Sequence, residues 1–171
     1  MRDLPAGGPE RSREPAGMTL YFAYGSNMSR PLMRRRCPSA REIGPAVLDG
    51  FRAIVNDDGY ITIVPAAGAR LPGVLWRLTP RDRAALNAYE RLDVGLYRAA
   101  PVTVRAGRVR VRALAYVARS RRRGRPRPGY LALVVAAARE VGLPEPHVRA
   151  LARLSPGGFA GARRRELGEL A

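Results

Sequence analysis

Tyr21-Phe22-Ala23-Tyr24-Gly25-Ser26-Asn27 is the stretch on which the reading of this chain turns. Tyr21 to Tyr24 predict a short buried strand. Gly25 lets the backbone turn without a Cβ penalty. Ser26, Asn27 and Ser29 are N-cap residues, so the residues from Met28 to Arg36 predict a helix. A strand, a tight glycine turn and a helix start together aim several backbone N–H groups at one point. Such a point binds a carboxylate, a phosphate or a developing oxyanion. Locally, two readings stay open: an anion-binding active-site loop, or an ordinary strand-to-helix turn.

Outward from this segment, the 171 residues suit one domain with a sizeable core. Residues 1–17 are rich in Gly, Pro, Arg and Glu without periodicity, and are expected to form a disordered extension. Met18, which opens directly onto the first strand, is a candidate for the true start. Residues 18–154 are expected to form the folded domain, and 155–171 a flexible Gly- and Arg-rich tail. No apolar run approaches the roughly 20 residues that span a bilayer. The first 17 residues lack the apolar core of a secretory signal, so a cytoplasmic location is expected. Cys37 and His147 are each the only residue of their kind, which is poor material for a metal site, and no metal is expected.

The formal net charge of +17 invites a nucleic-acid reading. Against it, all 31 basic residues are Arg and the chain has no Lys, a pattern of compositional bias. The basic runs at 34–36, 119–127 and 163–165 do not interleave aromatics as single-strand binders do. They are read as solvated loops and tails, and a nucleic-acid partner is not expected.

The remaining pattern is strands, helix, hairpin, helix. An apolar stretch over 47–56 and a turn at Asn56-Asp57-Asp58-Gly59 lead to a strand over 60–64. A Pro-Gly turn at 72–73 precedes another strand over 73–78. Thr79-Pro80-Arg81-Asp82 starts a helix with Thr as N-cap, Pro at N1 and Asp at N3, ending near Arg91. Residues 101–105 and 108–117 form a hairpin across Ala106-Gly107. Along its second strand Val109, Val111, Ala113, Ala115 and Val117 face inward. A helix over 129–141 places Tyr130, Leu133, Val134, Ala137 and Val141 on one side. Gly142 and Pro144 stop it, and 146–154 suggest a last short helix. Without regular βαβ alternation, this order predicts an α+β domain around a mostly antiparallel or barrel-like sheet.

Glu90 stands out within this order. It lies at the C-terminal end of its helix, where the dipole is negative and raises a carboxylate pKa. A Glu so raised can act as a base near neutral pH. A surface Glu paired with one of the many Arg residues is the alternative.

Taken in order, the 21–27 motif is followed by Glu90, by Gly95-x-Tyr97 and a hairpin, and by Pro128-x-Tyr130-Leu131 opening a helix that closes with Gly142-Leu143-Pro144. In this the chain, over residues 18–154, resembles the γ-glutamylcyclotransferase family within the AIG2-like group. Residues 41–51 and 73–78 are similar to the family's intervening strands. The resemblance implies an α+β fold, a small mixed, mostly antiparallel β barrel flanked by helices, with a cavity at the Tyr-Gly-Ser-Asn loop. It implies Glu90 as catalytic acid/base. It implies Tyr21, Phe22, Ala23, Tyr24, Gly25 and Ser26 as the substrate-binding loop, and Tyr130 as a further substrate contact. Many members have Gly directly after the catalytic Glu, where this chain has Arg91, which implies an altered pocket rim.

The implied partner is a small γ-glutamyl substrate, cyclised to 5-oxoproline with release of a free amine and with no cofactor. The substrate's amine could belong to an amino acid, a peptide, a simple amine, the lysine side chain of an isopeptide or a biosynthetic intermediate. The amides of Gly25 and Ser26 would hold either the substrate's α-carboxylate or the oxyanion. A homodimer is left open. A second function class is also open: an inactive AIG2-like binding protein that uses its Arg surfaces for RNA or acidic partners.

Overall fold

Residues 17–154 are described in the computed structural model of the protein. The expected disorder at 1–17 (Gly17 apart) and the expected flexible tail at 155–171 lie outside them. Five strands close into a barrel in the order β1-β3-β2-β4-β5. They are β1 (Thr19–Ala23), β2 (Arg41–Val55), β3 (Ile61–Leu78), β4 (Tyr97–Ala106) and β5 (Val109–Ala118). Every ladder is antiparallel except the one that closes the barrel, where β1 runs parallel to β5 with Tyr21 opposite Leu114. Four helices flank the barrel: α1 (Arg30–Arg36), α2 (Pro80–Tyr89), α3 (Tyr130–Glu140) and α4 (Glu145–Ala152). The mixed, mostly antiparallel barrel with flanking helices is the α+β architecture expected.

The longest strand is where sequence and structure part. Residues 60–64 and 73–78 are not two strands. They belong to one strand, β3, which pairs with β2 along most of its length and with β1 at its end. Pro72-Gly73 is therefore not a turn. A Cβ on Gly73 would lie 2.4 Å from the Ala23 carbonyl oxygen and 2.7 Å from the Phe22 ring. The glycine is there because β1 crosses so closely, which is the second meaning a strand glycine can carry. β2 likewise starts at Arg41 rather than 47, with register irregularities at 42–44 and 49–51 that bend it around the barrel.

The hairpin also differs in detail. β4 begins at Tyr97, and the two-residue loop is Gly107-Arg108, with Gly107 at φ 60° supplying the left-handed turn. Val109 is exposed at the hairpin tip, so the inward face expected of β5 begins only further along the strand. From Ala115 both faces are buried, because Tyr116 is covered by α2, to whose Asn87 Oδ1 its hydroxyl donates at 2.6 Å.

Local chemistry sets the helices. The Thr79 hydroxyl accepts from the Asp82 amide and the Asp82 carboxylate accepts from the Thr79 amide, a complete capping box. The first helix does not follow directly on the glycine turn. A 3-10 turn over Ser26–Met28 intervenes, and Ser29 is the N-cap of α1 through a bond from the Leu32 amide. α3 buries Val134, Val135, Ala137 and Ala138 and leaves Leu133 exposed. Its buried stripe takes in Val135 and Ala138 beside the expected Val134 and Ala137, and α3 packs against both α4 and the 3-10 turn. Phe22, Met28, Leu75, Leu78, Leu86 and Val104 are fully buried in the core. Each contributes about 1.5–3 kcal/mol by leaving water. Together they fix the end of β1, from which the 24–29 loop departs.

Candidate active site

The loop after β1 turns by close approach rather than by a left-handed glycine. Gly25 has φ −126° and ψ −139°, so positive φ is not the reason for glycine. A Cβ there would sit 3.3 Å from the Tyr130 hydroxyl. The missing side chain lets the loop pass beneath Tyr130 of α3. The Tyr130 hydroxyl in turn accepts from the Ile61 amide at 3.3 Å, tying α3 to the start of β3. With that amide on its oxygen, the hydroxyl keeps its own proton for a ligand.

Asn27 is buried and does not cap a helix with its side chain. Its Nδ2 donates to the Tyr21 hydroxyl at 2.8 Å and to Glu90 Oε1 at 2.9 Å. Its Oδ1 accepts from the Arg36 guanidinium, which fixes which way the amide faces. Arg36 itself stacks 3.6 Å over the ring of Tyr89. A chain of contacts thus runs from α2 through α1 to the loop, and its end is the Glu90 carboxylate.

Glu90 is the C-cap of α2, as expected, with φ −77° and ψ 2°. Its pKa is pushed up to about 7. Burial is the main cause, rather than the helix dipole that the sequence suggests, and it is opposed by the Asn27 hydrogen bond and by the charge of Arg36. Arg91, the next residue, has φ 52° and is the one non-glycine described residue in the left-handed region. A glycine fits that backbone without strain.

Glu90 opens into a cavity of about 220 Å³. All seven tyrosines of the chain line it. Tyr21 and Tyr24 come from the loop side, Tyr97 and Tyr116 from β4 and β5, and Tyr130 from α3. Tyr60 and Tyr89 complete the wall. Burial and the nearby Glu90 charge push Tyr21, Tyr24, Tyr97, Tyr116 and Tyr130 upward, so their hydroxyls remain protonated. Several are already engaged: Tyr24 donates to the Tyr116 carbonyl and Tyr97 to the Ile61 carbonyl at 3.2 Å. The interior is a wall of rings and fixed hydroxyls around one carboxyl group with a proton affinity near neutral.

Of the residues singled out from sequence, Tyr21, Tyr24, Gly25, Ser26, Glu90 and Tyr130 come together on this cavity. Phe22 and Ala23 do not line it. They are fully buried in the core, where β1 meets Gly73. Cys37 is buried against the Asp82 carbonyl at 3.5 Å and does not line the cavity, nor does His147. The Arg-rich stretch at 119–127 is not a free tail. Its Gly124 amide donates to Val55, its Arg127 amide donates to Gly59, and Arg127 sits 4.8 Å over the Tyr60 ring. Part of this basic run therefore buttresses the cavity wall.

Sequence reasoning passed over Arg36, Tyr60, Tyr89 and Tyr116, and saw in Asn27 only a cap. A compositional signal existed: a chain with no Lys and three Phe nonetheless has seven Tyr. An excess of the aromatic that carries a hydroxyl points to a polar cavity.

Comparison with known proteins agrees with this geometry. A family model described as "Gamma-glutamyl cyclotransferase, AIG2-like" matches residues 21–132. The gamma-glutamylcyclotransferase of Mus musculus is 27% identical over 154 residues, covering 83% of this chain and 81% of its own length. That of Homo sapiens is 26% identical over 153 residues, with the same coverage. A solved structure titled "Gamma-glutamyl cyclotransferase" superposes with a TM-score of 0.76 at 26% identity, covering 84% of this chain and 92% of that one.

Proposed function

Since the chain belongs to the γ-glutamyl cyclotransferase, AIG2-like family, we propose that it cyclises the γ-glutamyl group of a small γ-glutamyl amide to 5-oxoproline and releases a free amine, with Glu90 as general acid/base. One observation carries this reading. The Glu90 carboxyl, held by Asn27 and raised to about 7, faces the same cavity as Gly25, Ser26 and Tyr130.

The chemistry asks little covalent work of the protein. The substrate's own α-amine attacks its γ-carbonyl carbon, forming the C–N bond of a five-membered ring. The original amide C–N bond then breaks. Nucleophile and electrophile belong to one molecule, so the main task is to hold a folded conformer, and a closely walled cavity does so. Glu90, as carboxylate, takes a proton from the α-ammonium and delivers it to the departing nitrogen, ending as it began. A group near pKa 7 suits both transfers at neutral pH. Amides at Gly25 and Ser26 hold an anionic oxygen of the substrate. Tyr130, whose oxygen already accepts from Ile61, donates its proton to the substrate.

The test is to incubate purified protein with a panel of γ-glutamyl dipeptides and γ-glutamyl amides and to assay 5-oxoproline. Glu90→Gln is expected to keep a native circular dichroism spectrum and lose nearly all turnover. Retained activity in that variant removes Glu90 from the role of base.

A further inference from the structure

We propose that Arg91 reads the charge of the leaving amine, so that the protein favours γ-glutamyl amides whose leaving group bears a carboxylate (amino acids and peptides) over those of simple neutral amines. The inference rests on the cyclotransferase reading above and names the substrate class within it.

Arg91 is the one basic residue among those lining the cavity. Two other guanidinium groups close by are engaged. Arg36 holds Asn27 and stacks on Tyr89, and Arg127 covers Tyr60 and donates to the Asp58 carbonyl at 3.0 Å. Arg91 has neither a side-chain hydrogen bond nor an ion-pair partner among the described residues. It is exposed, so it stands at the solvent side of the cavity, away from the buried Tyr21, Tyr24 and Tyr97.

Its backbone makes an arginine there notable. At φ 52° a side chain beyond glycine is strained by about 1 kcal/mol. Strain kept at the rim of a site motivates a search for what the side chain does there.

The position also fits the chemistry. The leaving nitrogen receives its proton from Glu90, so it must lie within hydrogen-bond reach of that carboxyl. In a γ-glutamyl amino acid the leaving carboxylate is two bonds from that nitrogen. Arg91 springs from the residue directly after Glu90 and offers a planar fork of donors matched to a carboxylate. Glu90 itself is anionic when substrate binds and again after the proton is delivered, so a carboxylate nearby needs a cation, and Arg91 is the one the cavity lining provides.

The experiment compares γ-glutamyl-alanine with γ-glutamyl-ethylamide, two substrates that differ only in the leaving carboxylate. Values of kcat/KM are measured for wild type, Arg91→Gly and Arg91→Lys. Wild type is expected to prefer the carboxylated substrate by about tenfold. Arg91→Gly, which the backbone accommodates, is expected to bring the ratio close to one, and Arg91→Lys to lie between. Raising the salt is expected to shrink the wild-type ratio. A wild-type ratio near one, or a ratio unchanged in Arg91→Gly, overturns the assignment of Arg91 while leaving the cyclotransferase reading intact. If wild type turns over neither substrate and no other γ-glutamyl amide, the cyclotransferase reading falls and this inference falls with it.

Discussion

Asn27 Nδ2 lies 2.9 Å from Glu90 Oε1, joining residues 63 positions apart in the chain. The bond stabilises the charged carboxylate against the burial that disfavours it. Deleting it moves the balance one way. In Asn27→Ala the Glu90 pKa rises further, so the acid limb of kcat/KM against pH is expected to shift above its wild-type midpoint near 7. The buried Tyr21 hydroxyl also loses its partner, so stability should fall by about 1–3 kcal/mol. A variant that is merely loosened, with Asn27 unconnected to proton transfer, would keep the wild-type midpoint.

Tyr130 has one structural tie and one proposed role toward substrate, and two measurements on a single variant separate them. Its oxygen accepts from Ile61, and its proton is proposed for the substrate. Tyr130→Phe is expected to lose about 1 kcal/mol of stability through the unpaired Ile61 amide. It is expected to lose about 10²-fold in kcat/KM, the scale of one removed donor to a developing anion. Urea titration and 5-oxoproline kinetics read the two effects independently. Kinetics unchanged alongside the stability loss would make Tyr130 a purely structural tie.

How much of this was legible in the sequence depended on range. The capping box at Thr79 and Asp82 is a four-residue device, and it is formed as read. The loop at 24–27 and Glu90 drew notice through local signs that left a bland reading open for each, and the structure brings both to one cavity. What failed needed a partner from elsewhere in the chain. Pro72-Gly73 is a turn signal by local rules, and only the passage of Phe22 and Ala23 beside it explains a glycine in mid-strand. Gly25 was expected for its freedom of φ and is instead a space for Tyr130, 105 positions away. Phe22 shares the motif with Tyr21 and Tyr24, but a strand alternates faces, so a contiguous motif cannot all face one cavity. The tyrosine wall is assembled from three strands, two helices and the loops that hold Tyr24 and Tyr60, which no window of sequence contains.

The crossing at Gly73 predicts a large effect from a small change. In Gly73→Ala the new methyl meets the Ala23 carbonyl and the Phe22 ring, both held in the core. β1 must move, and the loss should be at least about 3 kcal/mol, beyond the usual overpacking penalty. Since β1 delivers Tyr24 and the loop after it, activity per folded molecule is expected to fall as well. The check is a urea midpoint together with turnover normalised to the folded fraction. A midpoint matching wild type would mean that the crossing is looser than 2.4 Å implies.

The buried carboxyl proposed as the acid/base should weigh against the fold, with a sign set by pH. Glu90 has a folded pKa of about 7, above the ordinary carboxylate value of about 4.3 in the unfolded chain. Below pH 4 it is neutral in both states and has no effect. As pH rises through the unfolded value, the unfolded chain releases its proton while the folded one retains it, and stability declines. Above about pH 7 both states are charged and the penalty is complete, up to about 4 kcal/mol before allowance for the partial exposure of the residue. Glu90→Gln removes the titration. It is expected to be more stable than wild type at pH 8, with the difference shrinking steadily as pH falls from 7 to 4. Paired denaturation curves at pH 4, 6 and 8 measure it. A difference that stays constant across that range would mean that Glu90 titrates in the folded protein as it does in the unfolded chain, and that the cavity does not hold its proton.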